Sequence, residues 1–194
     1  MKKIIAALIV GLIICAGVKV EAAELTQEQF DRMLSISAQS LNAENKNLSF
    51  DAATFQKNFN DFMTNFIKES KAKDADAKSM EEIFLIKEPM IFQTDAGNFL
   101  AKNFLNRVAI VGLLDADGTL KNLNFFTMQT EDRDEAMVSV LILEAFAKSI
   151  SPDLSASTLL EDFEKNQNAP VTKNGIKFSI ATEGNINFIT SIAE

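Results

Sequence analysis

The sequence predicts an α+β domain: an antiparallel sheet of about five to six strands built from hairpins, with about four helices packed on it. Three observations carry that expectation. Apolar residues recur at helical spacing early in the chain and again past its middle. Between and after those stretches they alternate with polar residues, or run unbroken over strand lengths. Tight turns join the strand-like runs, and such turns bring neighbouring strands together antiparallel.

The first helix opens at Thr26, with Gln29 as its capping-box partner. Phe30, Met33, Leu34, Ser37, Ala38 and Leu41 then share a face, and polar Asn42 to Asn47 breaks the pattern. Asp51 caps a second helix, on which Phe55, Phe59, Phe62, Met63, Phe66 and Ile67 form an apolar stripe. Residues 70–79 are mostly alanine, lysine and aspartate and are expected to form a mobile connection. The stretch 80–88 reads both ways. Ser79 and Glu82 suggest a capped helix, whereas Ile83-Phe84-Leu85-Ile86 suits a buried strand. Pro89 ends either one.

Met90 to Thr94 and Phe99 to Phe104 read as a hairpin turning at Gly97-Asn98. Arg107 to Leu114 is apolar on both alternating sets, as in a strand covered on both faces. Asp115-Ala116-Asp117-Gly118 turns it back into Leu120 to Met128. Thr130 is the expected cap of a helix from Glu131 to Ile150. Its segment Ala136 to Ala147 is apolar nearly all round, so it should pack on several sides. Ser151-Pro152-Asp153 stops it, and a shorter helix follows from Ser157 to Asn166. After Pro170 comes the Asn174-Gly175 turn, then alternating Ile176, Phe178 and Ile180. A last strand carries Ile186, Phe188, Thr190 and Ile192 beyond Glu183-Gly184-Asn185. Each half thus joins helices to a hairpin with a Gly-Asn step, a pattern that a diverged internal repeat would leave.

The N-terminus has the three parts of a secretory signal. Lys2 and Lys3 precede an apolar run from Ile4 to Val18, and short residues surround Ala22. Cleavage is expected after Ala22, leaving residues 23–194 as one α+β domain with a helical N-terminal part at 25–69. The run falls short of the ~20 apolar residues that a comfortable membrane span needs, which argues against an uncleaved anchor. Ile14 directly before Cys15 argues against a lipidated cysteine. Cleavage removes three lysines and one glutamate, moving the net charge from −8 to −10. The expected location is therefore periplasmic or extracellular.

Composition removes more chemistry than any motif adds. The chain has no histidine, tryptophan or tyrosine, and its one cysteine lies in the signal. Histidine triads, histidine-ligated metals and thiol nucleophiles are excluded from the mature chain. No cofactor or metal site is expected. Asp115-Ala116-Asp117-Gly118 fails as a calcium loop, because Leu113 and Asn124 fall where oxygen ligands belong. Ser70-Lys71-Ala72-Lys73 has the spacing of serine–lysine enzymes, but lies in a charged stretch where the lysine cannot be desolvated. Lys173-Asn174-Gly175 reads as a turn, and no Ser-Asp-Asn is present. Glu144, alone in an apolar helix, is expected to pair with Lys148 at the rim. Glu161, Asp162 and Glu164 read as a solvated face, and Arg107 as a strand-end cation reaching water.

The acidic charge disfavours nucleic acid and anionic membranes, and no stable membrane insertion is expected after cleavage. Expected partners are an apolar, neutral or cationic ligand or an envelope protein; the sequence leaves the oligomeric state open. The strongest compositional signal is 16 phenylalanines without one Tyr or Trp. Rings lacking a polar handle suit a dry core or a dry cavity. The leading expectation is an exported, non-enzymatic binding or accessory protein. The alternative is a carrier holding a lipid-like ligand in a cavity lined by Phe55, Phe59, Phe62 and Phe66. A carboxylate-based hydrolase is the third, and no pair of acids singles itself out for it.

Overall fold

The structure is a computed structural model and describes residues 26–40, 46–70, 74–87, 90–105 and 107–194. The signal segment with Cys15, Pro89 and the lysines of Ser70-Lys71-Ala72-Lys73 lie outside the described residues. In chain order the elements are α1 (Gln27–Gln39), α2 (Ala52–Glu69), α3 (Asp74–Phe84), β1 (Met90–Thr94), β2 (Gly97–Phe104), β3 (Val108–Leu114) and β4 (Leu120–Met128). There follow α4 (Arg133–Ile150), α5 (Ala156–Lys165), β5 (Val171–Lys173), β6 (Ile176–Glu183) and β7 (Ile186–Ala193). The fold is α+β with an antiparallel sheet, as expected, but the described residues hold seven strands and five helices.

The two extra elements have plain causes. Helix α3 runs through most of the stretch expected to be a mobile connection and settles 80–84 as helical. Its alanines, Lys78, Glu81 and Glu82 are good helix formers, and Met80 and Phe84, one turn apart, are both buried. Asn60 of α2 then fixes the exit. Its amide accepts from the Ile86 N–H at 2.8 Å and donates to the Ile86 carbonyl at 2.9 Å. Strand β5 has only three residues, too few to show a period.

The strands lie in the order β1-β2-β3-β4-β7-β6-β5. A four-stranded meander meets a three-stranded one along the β4–β7 pairing, where Phe125 faces Ile189 and Phe126 faces Phe188. Helices cover both faces, which is why every residue of β3 is buried. On one face α2, α3, α4 and α5 set Phe59, Met63, Phe84, Phe146 and Phe163 over Leu100, Phe104, Ile110, Phe125 and Phe178. On the other, α1 lays Met33, Leu34 and Ile36 over Phe99, Ala109, Val111, Phe126 and Ile186. Among the described residues no helix is long and apolar enough to cross a membrane.

The turns follow the backbone chemistry of their residues, with one correction. Asn174-Gly175 has φ of 52° and 73°, the left-handed pair of a type I′ turn. Gly184 has φ of 61° and Asn185 keeps a negative φ, as in type II′. The Asp115–Gly118 turn closes through a 3.0 Å bond from the Gly118 N–H to the Asp115 carbonyl. The first hairpin, however, turns at Asp95-Ala96, with Gly97 already paired to Thr94. The Thr94 hydroxyl accepts from the Ala96 N–H at 3.1 Å and so builds a turn that needs no Gly-Asn step. The two Gly-Asn steps are therefore unlike, one in a strand and one in a turn, and they carry no argument for a repeat.

Capping shows a similar shift. Asp132, not Thr130, caps α4, accepting from the N–H groups of Asp134 and Glu135 at 2.8 and 3.1 Å. Thr130 instead accepts from the Asp132 N–H at 3.0 Å and donates to the Glu135 carboxylate. Thr26 with Gln29 and Asp51 cap α1 and α2 as expected.

Candidate functional site

An open groove of about 370 Å³ lies between α4 and α5 on one side and β4, β7 and β6 on the other. Ser139, Val140 and Leu143 of α4 and Leu160 of α5 form one wall. Phe125 and Thr127 of β4, Ile180 of β6, and Asn187, Phe188 and Ile189 of β7 form the floor and the other wall. Helix α4 is fully buried on its inner side only from Leu141 onward, and Ala136 and Val140 in its first half are exposed. Helix α5 buries Leu159 and Phe163 but turns the adjacent Leu160 into the opening. Val140 is 48% exposed and Leu160 38%, high values for large apolar residues on a chain that buries most of its others.

The polar groups in the lining are already engaged. The Thr127 and Ser139 hydroxyls meet at 3.0 Å, and the Thr182 hydroxyl donates to the Asn187 amide oxygen at 2.8 Å. No charged side chain lines the groove. The surface therefore offers apolar contact without a fixed charge, which suits a neutral apolar occupant.

The residues singled out from sequence lie elsewhere. Phe55 and Phe59 are fully buried, with rings 6.2 Å from Phe146 and 5.5 Å from Phe104 respectively. Phe62 and Phe66 are half-buried and pack against the same core. None of the four lines this groove. Glu144 does not pair with Lys148. Its carboxylate accepts from the Ala156 N–H at 2.6 Å, at the positive end of α5, while Lys148 donates to the Pro152 carbonyl at 2.8 Å. Asp162 is not simply solvated, because it pairs with Lys173 at 2.7 Å and ties α5 to β5. Arg107 pairs with Glu135 at 2.7 Å, joining the start of β3 to α4.

Three aspartates have carboxyls held below the ordinary value of 3.8, all by hydrogen bonds made at turns or caps. Asp51 is bonded by Thr54, Asp115 by the Asn47 amide and then the Ala116 N–H, and Asp117 by the Thr119 N–H. Each bond favours the ionised form and belongs to chain geometry rather than to a site. Among the described residues no group of acidic side chains is arranged to hold a metal ion.

Sequence reading missed the groove because its lining comes from five elements far apart in the chain. One signal was present: Leu160 beside Leu159, and Val140 on a helix apolar nearly all round, exceed what a one-sided buried stripe needs. No family model, curated protein or solved structure matches this chain.

Proposed function

We propose that this protein is an exported, non-enzymatic binding protein whose working surface is the groove between α4, α5 and the β4–β7–β6 part of the sheet. The observation that carries the reading is that Val140 and Leu160, both exposed, stand on one wall above an uncharged floor. Ile91 of β1 is more exposed still but stands apart from this groove, whereas an apolar occupant of the groove would cover Val140 and Leu160 together. The absence of histidine, and of cysteine beyond residue 15, supports binding over catalysis. So does the engagement of Glu144, Arg107 and Asp162 in structural bonds. Export follows from the basic, apolar and short-residue order of the first 22 residues.

A neutral apolar dye, N-phenyl-1-naphthylamine, tests the groove directly. Its fluorescence is expected to rise saturably with the protein and to weaken by about fivefold or more in Leu160→Glu, a cost of ~1 kcal/mol in binding. Leu160 is partly exposed, so the melting temperature should stay near that of the parent. Dye binding that Leu160→Glu leaves unchanged would contradict the reading.

A further inference from the structure

Strand β6 is longer than its outer neighbour. Strand β5 pairs Val171, Thr172 and Lys173 with Phe178, Lys177 and Ile176, and nothing described pairs the outer edge beyond Phe178. Lys173↔Ile176 and Glu183↔Ile186 are the closing pairs of two-residue hairpins, and a closing pair exchanges both of its backbone bonds. Counting alternately from those pairs, Ser179, Ala181 and Glu183 turn their backbone groups toward β7. Ile180 and Thr182 turn theirs outward. The register would set Ala169 opposite Ile180, but the Ala169 N–H goes to the Asn166 carbonyl at 3.0 Å, and Pro170 has no N–H to give. The edge is left open just where Ile180 and Leu160 bound the apolar groove.

We propose that the occupant of the groove is an extended peptide segment that adds to the sheet as a strand along Ser179–Glu183, with apolar side chains at alternate positions and basic residues flanking them. The proposal rests on the groove being a binding surface and names what fills it. A residue opposite Ile180 places its side chain on the same sheet face, beside Leu160. Its backbone meets the outward N–H and C=O of Ile180, and a residue further along meets those of Thr182. An acyl chain in the same place would strip water from those four groups and return no hydrogen bond, a cost that disfavours it. Charge sets the flanks. The lining is uncharged, Glu161 and Glu183 are already paired with Lys165 and Arg32, Glu164 of α5 makes no ion pair among the described residues, and the chain carries a net charge of −8. That field attracts a basic segment and repels an acidic one.

The test uses a short blocked peptide of alternating valine and threonine with one tryptophan and with lysines at both ends. The protein has no tryptophan, so the peptide's fluorescence reports binding without background. The expected result is saturable binding that weakens about tenfold or more when alternate peptide nitrogens are methylated, with every side chain kept. Thr182→Pro removes the outward N–H at a position where an edge strand tolerates proline, and should weaken binding similarly. Thr182→Val gives up the hydroxyl bond to Asn187 but keeps that N–H, and should weaken binding far less than Thr182→Pro does. Leu160→Glu should weaken both the peptide and the dye. Peptide binding indifferent to N-methylation and to Thr182→Pro would overturn strand addition. Dye binding without peptide binding would overturn it too, while leaving the groove reading intact, and failure of both ligands would remove both. A dimer in sedimentation that Thr182→Pro dissociates would assign the edge to a second copy of the chain, again against the proposal.

Discussion

Phe59 shows what a phenylalanine does in a chain without tyrosine or tryptophan. Its ring is fully buried, 6.0 Å from Phe55 and 5.5 Å from Phe104, so α2 and β2 meet through it. A ring with no polar atom asks nothing of its surroundings but shape. Replacing it with alanine removes packed contacts and leaves a cavity, so Phe59→Ala is expected to cost about 3–5 kcal/mol. That is a large part of a typical domain's stability of about 5–15 kcal/mol. Denaturant melts at unchanged m-value measure it. A loss of only about 1 kcal/mol would mean that the ring borders an existing void, as the sequence alternative of a Phe-lined carrier cavity requires. The helical spacing of the stripe was legible in the sequence, but the depth of each ring was not. Phe62 and Phe66 share the pattern with Phe55 and Phe59 yet stay half-buried, because depth is decided by what α4 and the sheet set opposite them.

At the scale of elements, α1 is held to the sheet by a polar seam within an apolar contact. Asn122 sits where β4 carries one extra residue against β3, with Leu113 facing Asn122 and Leu114 facing Leu120. Its side-chain oxygen accepts from the Leu113 N–H at 2.9 Å, and its nitrogen donates to the Ser37 carbonyl at 2.6 Å and the Ser40 hydroxyl at 2.7 Å. One side chain therefore closes the bulge and fastens the last turn of α1. Asn122→Ala leaves the Leu113 N–H unpaired in a buried site, while the Ser37 carbonyl keeps the Ser40 hydroxyl at 2.8 Å, and is expected to cost about 1–3 kcal/mol by thermal or denaturant melts. At Gly112 beside it a Cβ would lie 2.6 Å from Leu120 Cδ2 and 3.0 Å from Leu123 Cδ1, so both buried leucines would have to shift to admit a side chain. Hairpin order, the two-sided burial of β3 and the caps of α1 and α2 were legible because each depends on neighbours in sequence. Helix α3 was hidden because alanine, lysine and aspartate describe an exposed helix as well as a loop. The bulge was hidden because an asparagine in an apolar strand reads as a polar-face residue until α1 is laid over it.

Across the whole molecule, the groups that titrate and the proposed binding groove are separate. Carboxylates with lowered pKa lie at caps and turns, whereas the groove is uncharged. In the folded state Asp51, Asp115 and Asp117 resist protonation; in the unfolded chain they do not. The unfolded state therefore binds more protons as pH falls, and the stability these groups contribute is full above the ordinary carboxylate value near 3.8 and lost as pH drops through and below it. The melting temperature is expected to hold between about pH 5 and 8 and to fall below about pH 4. Asp115→Asn and Asp117→Asn together should flatten that fall. Binding of the neutral dye should show no matching dependence while the protein stays folded, since no titrating side chain lines the groove.

The most direct test of a groove-centred binding protein is a methyl-resolved NMR titration of the purified protein with N-phenyl-1-naphthylamine. The expected result is saturable shifts gathered on Val140, Leu143, Leu160, Ile180 and Ile189, the valine, leucine and isoleucine residues of the lining, with Met63 and Ile67 of the α2 stripe still. Shifts centred on Met63 and Ile67, with Val140 and Leu160 unmoved, would place the ligand at the stripe and contradict the account.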